Sequence, residues 1–200
     1  MRRLVILALA CSSAAPPPPA APVTIAPAAP GKLLAPAVFD SIHDRAARSR
    51  ALFAEVSRVL THPRCVNCHP TDDSPRQRDA HELHDPPVVR GGVPAMQCET
   101  CHQDMNAELA RVPGAPGWKL APLTMAWLGK SAGQICEQIK DSSRNGARSL
   151  AQIHEHLAHD ALVAWGWAPG ADRTPAPGSQ RELADLAGAW IDSGAECPPP

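Results

Sequence analysis

Two short runs of cysteine and histidine have the residue types and spacing to hold a cofactor. They consist of Cys65, Cys68 and His69, and of Cys98, Cys101 and His102. Each is a Cys-x-x-Cys-His run, the attachment signature of c-type haem. Two thiols at this spacing form thioethers to one porphyrin, and the histidine that follows ligates the iron as the proximal axial ligand. The sequence therefore predicts two covalently attached haem c groups.

The alternative is a single zinc site that uses both cysteine pairs. Cys68 and Cys98 are separated by 29 residues, which is longer than the usual zinc-ribbon spacing. A zinc site would also not need a histidine after each pair. With 7 cysteines and 9 histidines in 200 residues, two such runs arise by chance roughly once in ten thousand sequences. Haem is the preferred interpretation.

The N-terminus has the pattern of an exported protein. Residues 1–11 comprise a basic start, a short apolar run and an Ala-x-Ala-Cys sequence, which is typical of a signal peptide. We expect a lipoprotein whose Cys11 carries the lipid, with simple secretion after cleavage at Ala10 as the alternative. Either route predicts a periplasmic location, where c-type haem is attached and disulfides persist.

The chain divides into a tail and one domain. Residues 12–37 are almost only Ser, Ala and Pro, which predicts a disordered linker in an extended conformation. Residues 38–200 form the predicted dihaem domain. The formal net charge of −1 provides no basic field for nucleic acid.

The domain is predicted to be mainly α-helical with long loops and little or no β-structure. Helices are expected over 38–60, 131–141, 149–164 and 179–192. The last three each begin with Ser followed three residues later by Gln or Glu, which is the capping-box pattern. With no Tyr, two Phe and five Trp, the domain is poor in large rings, and two porphyrins would supply the missing apolar surface.

Two cysteines remain after the haem runs and Cys11 are assigned. Cys136 and Cys197 are expected to form a disulfide that ties a helix to the C-terminus. Two buried free thiols are the alternative.

The sixth ligand of each iron has several candidates. His84 precedes a stiff Asp-Pro-Pro segment, and Met125 lies in a loop between apolar residues. In the helix 149–164, His154 is placed beside the apolar face and His156 at its margin. Methionine opposite histidine would raise the redox potential, and a second histidine would lower it.

Several phrases of the sequence resemble a family of small dihaem c-type cytochromes. They are residues 62–70, 113–116, 120–122, 125–127 and 165–170. Members of that family are commonly labelled as the cytochrome subunit of isoquinoline 1-oxidoreductase, a molybdenum hydroxylase. The likeness covers about residues 50 to 198. It implies a histidine ligand four residues before Asp160, which is His156.

The sequence thus predicts an electron carrier that is not itself an enzyme. It would take single electrons from a partner dehydrogenase or hydroxylase and pass them to another cytochrome or an oxidase of the respiratory chain. The alternatives are a haem enzyme such as a peroxidase, and a haem-based redox or gas sensor. The dihaem peroxidases are much longer chains, and no signalling segment accompanies the haem runs.

Overall fold

The structure is a computed structural model that describes residues 24–92, 96–170 and 172–200. The predicted signal segment 1–11, the lipidation of Cys11 and residues 12–23 of the predicted linker lie outside the described residues. Within the described part, no helix has the length and apolar character needed to cross a membrane.

The end of the predicted linker is packed onto the folded domain. Leu33 is 9% exposed, and Ile25 and Leu34 pack against the hydrophobic core. The backbone N–H of Leu34 donates a 2.9 Å hydrogen bond to Glu55. The folded part therefore begins before the predicted boundary at residue 38, because the few apolar residues of this segment find a hydrophobic surface to cover.

The predicted helix 38–60 is two elements. A 3-10 helix covers Pro36–Ser41, and helix α1 covers Arg45–Leu60. Asp44 separates them because its side chain accepts a 2.6 Å hydrogen bond from the N–H of Ala47 and so caps α1. Two residues separate α1 from helix α2, which covers Pro63–Val66.

Three longer helices build the C-terminal half. They are α3, Ala132–Lys140, α4, Leu150–His159, and α6, Gln180–Asp192. The predicted capping boxes at Ser131 and Ser149 are confirmed, since each serine is paired reciprocally with the glutamine three residues on. At Ser179 the serine caps the helix, but Glu182 accepts from its hydroxyl rather than from its backbone N–H.

The predicted helix 149–164 is broken at Asp160. Helix α4 ends at His159, and the short helix α5, Ala161–Ala164, starts immediately afterwards. The side chain of Asp160 caps α5 by accepting from the N–H groups of Leu162 and Val163. A residue that caps a helix adopts an extended backbone, so α4 cannot continue through it.

The core forms where α1 packs against α6, which in turn packs against α4. The rings of Phe53 and Trp190 lie 4.8 Å apart between centroids at the α1–α6 contact. Leu186 and Ile135 are also fully buried. The domain is therefore mainly helical with long loops, which confirms this part of the predicted fold class.

Long loops connect these helices between residues 67 and 131. The regular structure described there comprises 3-10 turns and one antiparallel hairpin, in which β1, Arg76–Gln77, pairs with β2, Glu82–Leu83. The hairpin lies in the segment between the two Cys-x-x-Cys-His runs. Its strands are two residues long, so the expected low β content holds.

The predicted disulfide between Cys136 and Cys197 is present and spans 61 residues of sequence. It joins α3 to the segment that follows α6. Hydrogen bonds reinforce the same junction, because Trp190 donates to the carbonyl of Glu196 and the N–H of Glu196 donates to Ser49. The C-terminus is thereby fixed across the ends of α1, α3 and α6.

Replacing both Cys136 and Cys197 with Ala should destabilise the protein without changing its helical content. A loop of this length contributes about 4 kcal/mol in the chain-entropy model, and cavities left at the buried sulfurs add to the loss. Urea unfolding followed by circular dichroism measures the change. A variant as stable as the parent protein would contradict the structural role given to this bond.

Candidate functional site

The first Cys-x-x-Cys-His run begins inside α2, which contains Cys65, and continues past the end of that helix. His62 caps α2, and backbone hydrogen bonds link Cys65 to His62, Cys68 to Cys65 and His69 to Val66. This single turn places the two thiols three residues apart on one side of the chain. Both are free and half-buried, so they are available for covalent attachment.

The second run also forms a helical turn, but a shorter one. A 3-10 turn covers Cys98–Thr100, and the N–H groups of Cys101 and His102 both donate to the carbonyl of Cys98. Cys98 is half-buried and Cys101 is exposed, and both thiols are free. Each run therefore presents a pair of thiols with a histidine directly after it.

Both histidines are oriented by a backbone carbonyl. The Nδ1–H of His69 donates to the carbonyl of Met125 at 2.6 Å, and that of His102 donates to the carbonyl of Pro113 at 2.7 Å. A carbonyl only accepts, so Nδ1 must carry the hydrogen and Nε2 must carry the lone pair. This is the arrangement that metal-ligating histidines show, with the second ring nitrogen fixed by a hydrogen bond.

A tryptophan stacks on each of these two rings. Trp127 lies parallel to His69 with 3.5 Å between ring centroids, and Trp118 lies parallel to His102 at 4.7 Å. The interplanar angles are 6° and 8°. No sequence motif gives either tryptophan a role at the site. The sequence feature that could have indicated their role is their position in loops that follow the Cys-x-x-Cys-His runs. The rest of the chain is poor in aromatic residues.

Burial keeps both imidazoles neutral. It lowers the pKa of His69 to about 4 and lowers the pKa of His102 as well, each against an opposing effect of the hydrogen bond to its carbonyl. Burial also raises the pKa of Cys65 to about 12 and that of Cys68 to about 11. At neutral pH His69 and His102 therefore keep an imidazole lone pair, and Cys65 and Cys68 are uncharged thiols.

A cavity of about 990 Å³ opens beside the second run. Its volume is at the upper end of the range for ligand pockets, about 300–1,000 Å³. Its lining includes Cys98, Cys101 and His102 from the second run, and also Cys68 from the first. The two runs therefore approach the same space.

His84 also lines this cavity, next to His102. The ring centroids of His84 and His102 lie 5.8 Å apart, and the Nδ1–H of His84 donates to the carbonyl of Pro86 at 2.8 Å. Of the predicted sixth ligands, His84 thus lies next to the imidazole of His102 in the wall of this cavity.

The cavity wall contains buried guanidinium N–H groups without a partner among the described residues. The side chain of Arg64 is 1% exposed and pairs with Asp79, yet its Nε has no acceptor. One terminal nitrogen of Arg76 is likewise buried and unpaired. Such groups fit a ligand that carries carboxylates, as the propionates of a porphyrin do. With free thiols and neutral imidazoles alongside, the residues fit haem c.

The three histidines of α4 face different surroundings. His154 lies at the α4–α6 contact, where its Nε2 is 3.2 Å from the carbonyl of Ala184. His159 is exposed. His156 is half-buried, and its Nδ1 lies 3.0 Å from Oδ2 of Asp160. His156 as a sixth ligand stays a prediction.

Met125 lies close to the first run in a different way. Its side chain is 7% exposed and belongs to the hydrophobic core. Its backbone carbonyl accepts the Nδ1–H of His69, so its backbone lies on the side of that ring opposite to Nε2. Met125 as a sixth ligand stays a prediction, and its observed contribution is to orient the ring of His69.

The zinc alternative gains no support from the described residues. Among them, no group of three or more His, Cys, Asp or Glu side chains converges in a way that could hold a metal ion. The two cysteine pairs therefore do not form one four-ligand site.

Comparisons of the chain with protein-family models, with curated proteins and with solved structures found no match. The family resemblance carried by residues such as 62–70 stays a prediction. What this protein does must therefore be argued from its own site.

A Gly114→Ala substitution should disturb the second site through the backbone. A Cβ at this position would overlap the carbonyl oxygens of Gln103 and Met105, and Gly114 directly follows the carbonyl that orients His102. We expect a loss of about 1–3 kcal/mol in the free energy of unfolding and a weaker hydrogen bond to His102. Chemical denaturation and NMR of the His102 Nδ1–H measure the two effects.

Gly166→Ala is the matched control for Gly114→Ala. A Cβ at Gly166 would be 3.7 Å from the Cβ of Arg64, an ordinary contact. This variant should keep both the stability and the His102 signal. Equal effects of the two substitutions would contradict the role of the Pro113 carbonyl.

Proposed function

We propose that the chain is an exported dihaem c-type cytochrome that carries single electrons. The observation that supports this most directly is the repetition of one arrangement. Free thiols at the Cys-x-x-Cys spacing precede a histidine whose Nδ1–H is bound to a carbonyl and whose ring is stacked on tryptophan. Two unrelated stretches of chain adopt it, and each leaves one Nε2 lone pair for a metal.

The assignment of residues follows from this repetition. Cys65 and Cys68 would hold the first haem with His69 as proximal ligand. The second haem would be held in the same way. Its residues are Cys98, Cys101 and His102. When bound, each haem supplies an iron that alternates between Fe(III) and Fe(II), a one-electron change.

Histidines are also proposed as the sixth ligands. His84 is assigned to the second haem because of its 5.8 Å ring spacing from His102. His156 is assigned to the first haem by the family resemblance, which implies a histidine ligand four residues before Asp160. Two histidines on an iron leave no open position for oxygen, peroxide or carbon monoxide. This favours a carrier over a peroxidase or a gas sensor.

The two haems are proposed to exchange electrons directly. Cys68, a thioether residue of the first haem, lines the cavity assigned to the second. The chain between His69 and Cys98 contains 28 residues, so the attachment points are also near in sequence. A carrier with adjacent haems needs no catalytic groups of its own.

The partners follow from this role and from the family resemblance. An oxidoreductase, in the resembled family a molybdenum hydroxylase, would donate electrons. A downstream cytochrome or an oxidase would accept them. We place the protein in the periplasm, attached to the membrane if Cys11 is lipidated.

Haem content tests the proposal directly. The chain, expressed with its export signal in a host that matures c-type cytochromes, should carry two haems by mass and by pyridine haemochrome. Replacing Cys98 and Cys101 with Ala should leave one haem. Replacing Cys136 and Cys197 with Ala should leave two, since those sulfurs form the disulfide. A colourless product with the mass of the bare polypeptide would exclude the function.

The sixth ligands are tested by replacement with methionine. His84→Met and His156→Met should each raise the potential of one haem, and a different one in each variant, because methionine favours Fe(II) more than histidine does. His154→Met is the control on the same helix and should change neither potential. Near-infrared magnetic circular dichroism reports the ligand change. An unchanged spectrum in His84→Met would show that His84 is not a ligand of the iron.

A further inference from the structure

Arg64 belongs to the first run by sequence and to the cavity of the second run by position. It directly precedes Cys65, yet its side chain lines the cavity that contains Cys98, Cys101 and His102. The side chain is 1% exposed, and its Nε–H has no acceptor among the described residues. A buried charged donor without a partner is unfavourable, so this N–H indicates a place for an acceptor that enters the cavity.

A row of aromatic rings connects Arg64 to the histidine of the second run. The guanidinium carbon lies 5.8 Å from the centroid of the Trp165 ring. Trp165 meets Trp118 edge to face at 4.9 Å, and Trp118 stacks on His102 at 4.7 Å. Both tryptophans line the same cavity. These contacts hold the guanidinium in the wall to which His102 also belongs.

Asp79 fixes the guanidinium by one of its terminal nitrogens. Oδ1 of Asp79 accepts from that nitrogen, and Oδ2 accepts from the hydroxyl and the N–H of Thr174 at 2.6 and 3.3 Å. Both oxygens of Asp79 are therefore engaged. The guanidinium is held in one orientation, and its Nε–H remains for an acceptor that the described residues do not supply.

The charged groups around the cavity favour an anion at its buried wall. The lining has four acidic side chains, all exposed to solvent, which screens their charge. Three of them are paired with cations of the lining, and Asp85 has no such partner among the described residues. The lining also has six cationic side chains, which are Arg64, Arg76, Arg78, Arg111, Lys119 and Arg173. Of these, Arg64 is the one that is buried.

We propose that Arg64, a residue of the first run, binds a propionate of the second haem. This inference rests on the proposed function, in which the cavity holds that haem. A guanidinium that binds Asp79 through a terminal nitrogen can still donate its Nε–H to a second carboxylate, and propionates are the carboxylates that a porphyrin carries. The second haem site would thus be incomplete without helix α2 of the first.

The test uses the full-length variant in which Cys98 and Cys101 are replaced with Ala, so that its second cavity takes up free haem reversibly. Hemin and hemin dimethyl ester are the probes, because the ester keeps the ring and the iron but has no carboxylate. Each is titrated and followed by its Soret band. We expect hemin to bind about tenfold more tightly than the ester, since a charge-assisted hydrogen bond is lost in the ester. Adding His102→Ala should weaken both, which locates the probe.

Arg64→Met in this variant should abolish the preference for hemin over the ester. Arg78→Met is the matched control, because it removes the same charge from the same lining. The Arg78 side chain is 69% exposed and pairs with Glu82 at 2.7 Å, so it has no buried N–H to offer. This control should keep the preference. Equal losses in the two variants would reduce Arg64 to general charge and overturn the proposal.

Asp79→Asn separates carboxylate binding from the ion pair. It removes the charge that faces Arg64 but leaves the guanidinium in the wall, so hemin should keep its preference. A loss as large as that in Arg64→Met would assign the effect to the ion pair and overturn the proposal. The comparison of hemin with its ester before any change at Arg64 is also decisive, because equal binding of the two overturns the proposal even if Arg64→Met fails to fold.

Failure of this inference is distinct from failure of the proposed function. If the first run carries no attached haem, the dihaem function is excluded, whatever Arg64 does. If that haem is attached and hemin binds with no preference over its ester, only the inference is overturned. The same holds if Arg64→Met removes the first haem and leaves the preference in the second cavity unchanged, because the propionate contact would then belong to the first haem.

Discussion

The site depends on one interaction, the hydrogen bond from the imidazoles of His69 and His102 to a backbone carbonyl. Without it, the imidazole that follows each Cys-x-x-Cys pair would rotate freely. In the first site the constraint is part of a larger junction, because Ala121, Trp127 and Leu128 also donate backbone hydrogen bonds to Cys68 and His69. The returning loop is therefore attached to the motif along its length, and α3 follows directly from that loop.

The second site is built more locally, and this explains its exposed surface. Its constraint is Pro113, at the end of a loop closed by the bridge between Ala107 and Val112, so the helical core contributes little. Apolar side chains near it face solvent, with Leu109 fully exposed and Met105 at 74%. These side chains have no apolar partner among the described residues, and a porphyrin would supply one.

Local sequence signals predicted the parts of this molecule that local physics controls. The capping boxes at Ser131 and Ser149 could be predicted from neighbouring residues, and the pairing of Cys136 with Cys197 could be predicted by counting cysteines. The packing of Leu33 on the core and the stacking of Trp127 on His69 depend on segments far apart in sequence, so no pattern within either segment could show them. Composition was misleading for residues 24–37, because a few apolar residues outweigh many prolines once a surface is available to cover.

The break at Asp160 shows how a local feature acquires a wider consequence. The periodicity of residues 149–164 predicts one helix, and in such a helix Asp160 would still lie one turn after His156. Its carboxylate would then be a mobile surface group. Ending α4 at His159 lets α5 bind Oδ1, which restricts the side chain and directs Oδ2 to the imidazole. Interrupting the helix removes some backbone hydrogen bonds, but it fixes the orientation of the His156 ring and holds a carboxylate oxygen beside its Nδ1, which an unbroken helix would not do.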